Sequence, residues 1–145
     1  MRSDNRKEKA EGRILPSADF VMESNKRIGS RFERQVCDKL ARDGWWVHFL
    51  APGTNGAQPF DVIAMRGKRV LALDCKTCRS KYFSYDRIET NQRMAFDVLR
   101  AKVSDDVISC GFVILHNDKI VFLPYAKILA DETIGKRSYD LEARK

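Results

Sequence analysis

The sequence predicts an α/β or α+β fold in which a mixed central sheet of about five strands is flanked by helices. Two segments carry apolar residues at helical spacing, and at least five short apolar runs have the length and composition of strands. Turn-forming residues separate these segments. With 145 residues, the chain is long enough for one domain with a sizeable core and too short for two ordinary domains.

The first helix is predicted from Lys26 to Asp43, with Asn25 as its N-cap and Gly44 just beyond its end. Its apolar stripe recurs every four residues and consists of Ile28, Phe32, Val36 and Leu40. At about 100° per residue, Glu33 falls on the border of this stripe and not on the solvent side. A carboxylate at that position can reach a neighbouring element on which the helix packs.

The middle of the chain predicts three strands. A strand from Trp45 to Ala51 is followed by a loop, PGTNGAQP, rich in turn formers. A hairpin then spans Phe60 to Lys76, because two apolar runs flank the pair Gly67-Lys68 and a glycine at the first turn position supplies the positive φ of such turns. Both faces of the second hairpin strand are largely apolar, which predicts a central strand covered on both sides.

The rest of the chain predicts a second helix from Asp86 to Lys102, followed by strands at Ile108 to His116 and Lys119 to Tyr125. The inward residues of that helix are predicted to be Ile88, Ala95, Val98 and Leu99. Asn117-Asp118 is the turn between the two strands, and a short helix is expected after Pro124. We expect residues 1–24 to form an N-terminal arm, 25–130 the folded domain, and 131–145 a loosely held polar tail.

The hairpin register brings two acidic residues together. With Arg66 opposite Arg69, Asp61 lies directly opposite Asp74, and Lys76 points to the same face because strand residues two apart share a face. Two carboxylates facing each other across a sheet repel one another and destabilise it. The usual use of such a pair is to hold a divalent cation.

Glu33, Asp61, Asp74 and Lys76 are therefore the candidate active-site residues, with the three acids as metal ligands. Hard oxygen ligands suit Mg²⁺ or Mn²⁺, which can neutralise a phosphate and activate a bound water. The lysine can orient the water and stabilise negative charge in the transition state. For any single acid, an ordinary salt bridge is the simpler interpretation; the four together favour the metal site.

Charge and composition favour a nucleic-acid partner over a membrane surface. The formal net charge is +7, and cations and aromatic rings are interleaved after the hairpin, as in a groove that contacts phosphates and bases. The candidate nucleic-acid-binding residues are Arg27, Arg31, Arg79, Lys81, Tyr82, Arg87 and Arg93. No long apolar run or apolar signal segment is present in the sequence, which predicts a cytoplasmic protein without a membrane span.

Four cysteines in a cytoplasmic protein are expected to be reduced. Cys75 and Cys78 form a C-x-x-C, but a zinc site needs a second pair, and a redox pair is expected at the start of a helix. Cys75 lies inside a predicted strand, on the face opposite Asp74 and Lys76. Core packing is therefore the favoured interpretation of these thiols.

These motifs resemble the PD-(D/E)xK nuclease core, with Pro59-Phe60-Asp61 followed by Asp74-Cys75-Lys76. The segment RIGSRFERQVCDKLARDGWWV is similar to the opening helix of archaeal-type and phage Holliday junction resolvases, in which Gly29 to Glu33 match the G-x-x-F-E context. Asp74 stands where glutamate is commoner in the family. The nearest match to a hydroxyl residue of the loop before the aspartate is Thr54, and Gln92 resembles a glutamine on the following helix.

The resemblance implies a restriction-endonuclease-like core and a Mg²⁺- or Mn²⁺-dependent endonuclease, working as a homodimer that cuts two strands of a four-way junction. A two-fold dimer suits a junction that presents two equivalent strands. Two alternatives stay open on the sequence: another endonuclease on the same core, of repair or restriction type, and a DNA-binding protein that uses the fold without catalysis.

Overall fold

A five-stranded mixed sheet with helices on both faces forms the body of the protein. The computed structural model describes residues 25–50 and 58–143, and their side chains from residue 31 onward. The predicted arm (1–24) and most of the loop before the hairpin (51–57) lie outside the described residues. In chain order the elements are α1 (Asn25–Arg42), β1 (Trp46–Phe49), β2 (Val62–Arg66), β3 (Arg69–Thr77), β4 (Tyr82–Ser84), a 3₁₀ turn (Tyr85–Arg87), α2 (Thr90–Lys102), β5 (Ile108–His116), β6 (Lys119–Pro124), α3 (Tyr125–Thr133) and β7 (Ser138–Asp140).

The main sheet has the strand order β1-β2-β3-β5-β6. Only β3 and β5 are parallel; the other neighbours in this sheet are antiparallel. The parallel pair requires a crossover, and β4, the 3₁₀ turn and α2 supply it. A second, two-stranded sheet pairs β4 with β7. The predicted fold class, a mixed sheet of five strands flanked by helices, is confirmed.

Alternate residues of β3 belong to two separate cores. Leu73 packs with Val62 and Val113 against Phe32 and Val36 of α1. The opposite face of the sheet is covered by α2 and α3, and its larger buried residues are Phe83, Phe96, Phe112, Tyr125 and Ile128. This two-sided burial explains why β3 is apolar on both faces and identifies it as the central strand.

The first helix and its end agree with the sequence prediction to within a residue. Gly44 has a φ of 93°, its N–H donates to the carbonyl of Ala41, and the N–H of Trp45 donates to the carbonyl of Leu40. These two bonds form a Schellman motif, which glycine permits because it has no Cβ to clash at positive φ. The chain therefore turns sharply from α1 into β1.

The second helix differs from its prediction. It begins at Thr90 instead of Asp86, because the preceding residues form β4 and a 3₁₀ turn. The helix buries Phe96, whereas Val98, predicted to point inward, is 52% exposed. Val98 lies two residues, or about 200°, around the helix from Phe96, so the two cannot share a face.

The C-terminal part of the chain also differs from its prediction. The predicted polar tail from residue 131 contains the end of α3 and all of β7, and Leu141 is buried. Because β7 pairs with β4, this segment belongs to the fold at least as far as Leu141. No helix within 25–50 or 58–143 is long and apolar enough to span a membrane.

Candidate active site

The β2–β3 hairpin has the predicted register. Arg66 pairs with Arg69, Val62 pairs with Leu73, and Gly67 in the turn has a φ of 59°. The regular pairing ends at Val62 and Leu73, and Asp61 and Asp74 are the next residues beyond that pair on the two strands. The hairpin therefore brings the two aspartates to one end of the sheet from local sequence signals alone.

Asp61 lies just before β2, where the strands leave the regular ladder. Its N–H donates to the carbonyl of Leu73 at 2.8 Å, and its own carbonyl accepts from the N–H of Leu50 at 2.7 Å. Its carboxylate Oδ2 accepts a hydrogen bond from the N–H of Cys75 at 2.9 Å. Backbone bonds on both sides and this side-chain bond fix the Asp61 carboxylate across the end of β3.

Asp74 is buried, and its carboxyl group lies close enough to that of Asp61 for each to affect the pKa of the other. Lys76 Nζ lies 3.0 Å from Asp74 Oδ2. This contact is an ion pair whose alignment is not that of a hydrogen bond, so Oδ2 has no hydrogen-bond partner among the described residues. The Lys76 ammonium also lies 5.5 Å from the centre of the Phe112 ring, which forms the apolar floor of the site.

The electrostatics of the pair favour a bound positive charge. Burial raises the pKa of Asp74 to about 6; the Lys76 ammonium opposes this shift and the Asp61 carboxylate adds to it. Burial also raises the pKa of Asp61, against the hydrogen bond from Cys75. A buried pair of acids resists losing both protons because the second negative charge repels the first. A divalent cation would remove that repulsion.

Glu33 lies near the site although α1 packs on the other face of the sheet. Glu33 was expected to reach the site if α1 packed over the face of Asp74 and Lys76, but α1 packs over the opposite face, against Leu73 and Cys75. Glu33 nevertheless lies close enough to Asp61 and Asp74 for their carboxyl groups to affect its pKa. Burial, followed by the charge of Asp74, raises the pKa of Glu33.

The residues present fit a hard cation held by few protein ligands. No group of three or more His, Cys, Asp or Glu side chains in the described part of the chain forms a complete metal cage. The Asp61–Asp74 pair, with its unpartnered buried oxygen, instead offers a partial site. Mg²⁺ commonly binds through one or two carboxylates and leaves its other positions to water and phosphate.

The two other predicted catalytic residues are Gln92, whose contacts the structure describes, and Thr54, which lies outside the described part. Gln92 is buried at the start of α2, and its Oε1 accepts the N–H of Glu89 at 3.2 Å in a capping box. This contact is structural: it fixes the start of the helix. Thr54 lies outside the described residues.

Most of the predicted nucleic-acid-binding residues lie together on the surface. Arg79, Lys81, Tyr82 and Arg87 are exposed on the segment that leaves β3 and continues through β4 into the 3₁₀ turn. Arg31 is exposed on α1, and the side chain of Arg27 lies outside the described part. The exposed cations after β3 therefore begin three residues beyond Lys76.

Arg93 has a structural role that its sequence context did not reveal. Its guanidinium donates to both carboxylate oxygens of Glu132, at 3.1 and 2.7 Å, and so ties α2 to α3. The hydrogen bonds from Arg93 to Glu132 raise the pKa of Arg93. A bidentate pair of this kind occupies the donors that a phosphate would need.

Sequence reasoning also missed Arg137, a basic residue that directly precedes β7 and lies near this surface. The N–H of Tyr85 donates to the carbonyl of Arg137, whose exposed guanidinium lies 3.6 Å from Asp86. The alternation of Tyr139 and Leu141 with polar residues was the available signal of a strand. The segment is too short for this alternation to distinguish a strand from a loop, unless its pairing with β4 is already known.

Comparisons with known proteins agree with this architecture. A family model described as archaeal Holliday junction resolvase (hjc) matches residues 24–134. Among solved structures, the 1.6 Å structure of Hjc, a Holliday junction resolvase from Archaeoglobus fulgidus, is similar with a TM-score of 0.53. The sequence identity is 19%, and the alignment covers 68% of this chain and 78% of that chain. At this identity the similarity shows the fold. A search of curated proteins found no match.

Proposed function

Because the chain belongs to the archaeal Holliday junction resolvase family, we propose that it is a Mg²⁺- or Mn²⁺-dependent endonuclease that resolves four-way DNA junctions by paired phosphodiester hydrolysis. The observation that carries the proposal is the electrostatic interaction between the Asp61 and Asp74 carboxyl groups, with the Lys76 ammonium 3.0 Å from Asp74. This arrangement meets the requirements of metal-assisted phosphate hydrolysis.

Asp61 and Asp74 would hold the cation, with Glu33 as a further ligand reached from α1. When bound, the cation would neutralise the phosphate and lower the pKa of a bound water. The Asp61 carboxylate is held in place by the Cys75 N–H, so its orientation is set before substrate arrives. The buried Oδ2 of Asp74 has no hydrogen-bond partner among the described residues, and its near neighbour is the Lys76 ammonium at 3.0 Å.

Lys76 is the second catalytic group. Its ammonium is held between Asp74 and the ring of Phe112, and its side chain is only 14% exposed. A buried positive charge beside the scissile phosphate can orient the attacking water and stabilise the additional negative charge of the transition state. Its position two residues after Asp74 on one strand fixes the distance between ligand and lysine.

The DNA would follow the exposed cations that continue from β3. Arg79, Lys81, Tyr82 and Arg87 lie along one segment, and the net charge of +7 attracts a polyanion. Contacts to phosphates do not read base sequence, so such a surface suits recognition of DNA shape. A DNA substrate of this kind implies action in the cytoplasm, on cellular or viral DNA.

We further propose that the protein acts as a homodimer. A four-way junction offers two equivalent strands, and two active sites related by a two-fold axis would cut them symmetrically. The proposal of a homodimer rests on the symmetry of the junction.

The test is a gel assay with three labelled substrates: a four-way junction, a flap and a linear duplex, each with Mg²⁺ and with EDTA. We expect symmetric nicking of the junction in Mg²⁺ and none in EDTA. Asp74→Asn should abolish cutting while binding of the junction in Ca²⁺ persists. Cutting of the flap or the duplex at the rate of the junction would overturn junction selectivity and favour a repair-type nuclease.

A further inference from the structure

A buried histidine outside the active site joins three segments of the chain. His116, the last residue of β5, is 2% exposed. Its Nδ1 lies 2.9 Å from the carbonyl oxygen of Cys78, and its Nε2 lies 2.8 Å from the carboxylate Oε2 of Glu142. The ring therefore contacts the segment that leaves β3 and the segment that follows β7.

Both partners are acceptors, and this determines the protonation state of the ring. A neutral imidazole carries one N–H, so it could donate to the carbonyl or to the carboxylate but not to both. The imidazolium carries two. The amide nitrogen of Asn117 lies 3.4 Å from Nε2, which is a long contact. Rotating this amide by 180° would place its oxygen there instead, and an oxygen can accept from a protonated Nε2. The bond to Glu142 and then the bond to Cys78 raise the pKa of His116, against burial and the charge of Lys119.

The three joined segments carry the exposed basic side chains. Glu142 follows β7, and Leu141 N–H donates to the carbonyl of Lys81 at 2.8 Å. Tyr82 pairs with Asp140 of β7, and Lys81 Nζ lies 3.7 Å from the carboxylate of Asp140. Loss of the His116 clamp would therefore loosen β7 and, with it, the segment of Lys81 and Tyr82.

We propose that His116, as an imidazolium, is a positioning residue that clamps the β4–β7 sheet to the end of β3. It thereby holds the DNA-binding cations at a fixed position relative to Lys76. The DNA part of this proposal rests on the proposed function; the clamp itself does not. Glu142 supplies the compensating charge, and the Cys78 carbonyl ties the clamp to the strand that carries Asp74.

The direction of the pH dependence follows from the raised pKa. A histidine whose pKa is higher in the folded state stabilises that state fully below its unfolded value, near 6.5, and the contribution is lost as the pH rises through the folded value. The charges facing the ring are Glu142 and, on β6, Lys119. Docking of β7 should therefore weaken as the pH rises through the raised pKa of His116.

Glu142→Gln tests the proposal by the sign of its effect on DNA affinity. Removing a negative charge near a basic surface should, on simple electrostatics, strengthen DNA binding. The clamp predicts the opposite: junction affinity at pH 6.5 in Ca²⁺ weakens by about threefold to tenfold because one charged hydrogen bond is lost. The matched control is Asp38→Asn, an exposed acid on α1, which should bind as tightly as the native chain or more so. Affinity of Glu142→Gln equal to or above native would overturn the proposal.

Two measurements decide the clamp without relying on nuclease activity. At pH 6.5 the ring nitrogens of His116 should both give ¹⁵N shifts of a protonated imidazolium, with His48→Gln used to assign the signals. The amide of Leu141 should exchange with solvent at least fivefold faster in Glu142→Gln than in the native chain, since a charged hydrogen bond is removed. A neutral ring at pH 6.5, or unchanged exchange, would refute the clamp even if the protein proves to be a junction nuclease.

Discussion

Asp74→Asn should make the metal-free protein more stable while abolishing its activity. The pKa of Asp74 is about 6 in the fold, against an ordinary value of 3.8. Each unit of such a shift corresponds to about 1.4 kcal/mol, so ionised Asp74 costs the fold up to ~3 kcal/mol at neutral pH. Asparagine has nearly the same shape and carries no charge, and we expect a gain of ~1–3 kcal/mol in the free energy of unfolding.

The sign of the pH dependence distinguishes this explanation from a general packing effect. Between pH 3.8 and 6 the folded state binds more protons at Asp74 than the unfolded state, so the stability of the native chain falls as the pH rises through that interval. The advantage of Asp74→Asn should be complete at pH 7.5 and smaller by about two thirds at pH 4.5. The exposed acid Asp38 provides the control variant Asp38→Asn, whose stability should differ little from native at both pH values.

The assay is urea unfolding of the native and variant proteins in EDTA, repeated with Mg²⁺. In EDTA the midpoint of Asp74→Asn should lie above that of the native protein at an unchanged slope. Mg²⁺ should raise the native midpoint by mass action and leave that of Asp74→Asn unchanged. A variant less stable than native at pH 7.5 without metal, or stabilised equally by Mg²⁺, would refute the assignment of Asp74 as a metal ligand whose charge destabilises the metal-free fold.

Three further predictions concern the surroundings of the site. Lys76→Ala should lower the single-turnover cleavage rate by about 10²–10³-fold with little change in junction affinity; a loss confined to affinity would contradict its catalytic role. Lys81→Ala should weaken junction binding and reduce the slope of log affinity against log salt by about one, as expected for one lost phosphate contact; identical salt titrations would remove it from the DNA surface. Arg93→Ala should lower the free energy of unfolding by about 1 kcal/mol through loss of the partly exposed Glu132 pair, and it should leave the salt slope unchanged; a changed slope would show that Arg93 contacts DNA.

The features that the sequence predicted correctly are those set by neighbouring residues. The hairpin register follows from a glycine turn and two apolar runs, and it brings Asp61 to Asp74. The end of α1 follows from Gly44. These signals act within a few residues, so no knowledge of the tertiary fold was needed to interpret them.

The features that the sequence missed depend on residues far apart in the chain. Tyr82–Ser84 is a strand only because Ser138–Asp140 pairs with it, and neither segment is long enough to be recognised alone. The pairing of Arg93 with Glu132 likewise depends on how α2 meets α3. The proximity of Glu33 to Asp61 likewise depends on tertiary packing, because the packing side of α1 is fixed by Leu73 and Cys75.

The parallel pairing of β3 with β5 has a consequence for the order of events during synthesis. Asp74 pairs with Phe112, which the ribosome adds only after the whole crossover has been made. The hairpin can close earlier, since its contacts are local, whereas the parallel ladder must wait for distant residues. A nascent chain that ends before β5 should therefore expose both aspartates to solvent, because the strand that pairs with Asp74 has not yet been made. Competence to cut DNA should arise only after the C-terminal half has emerged.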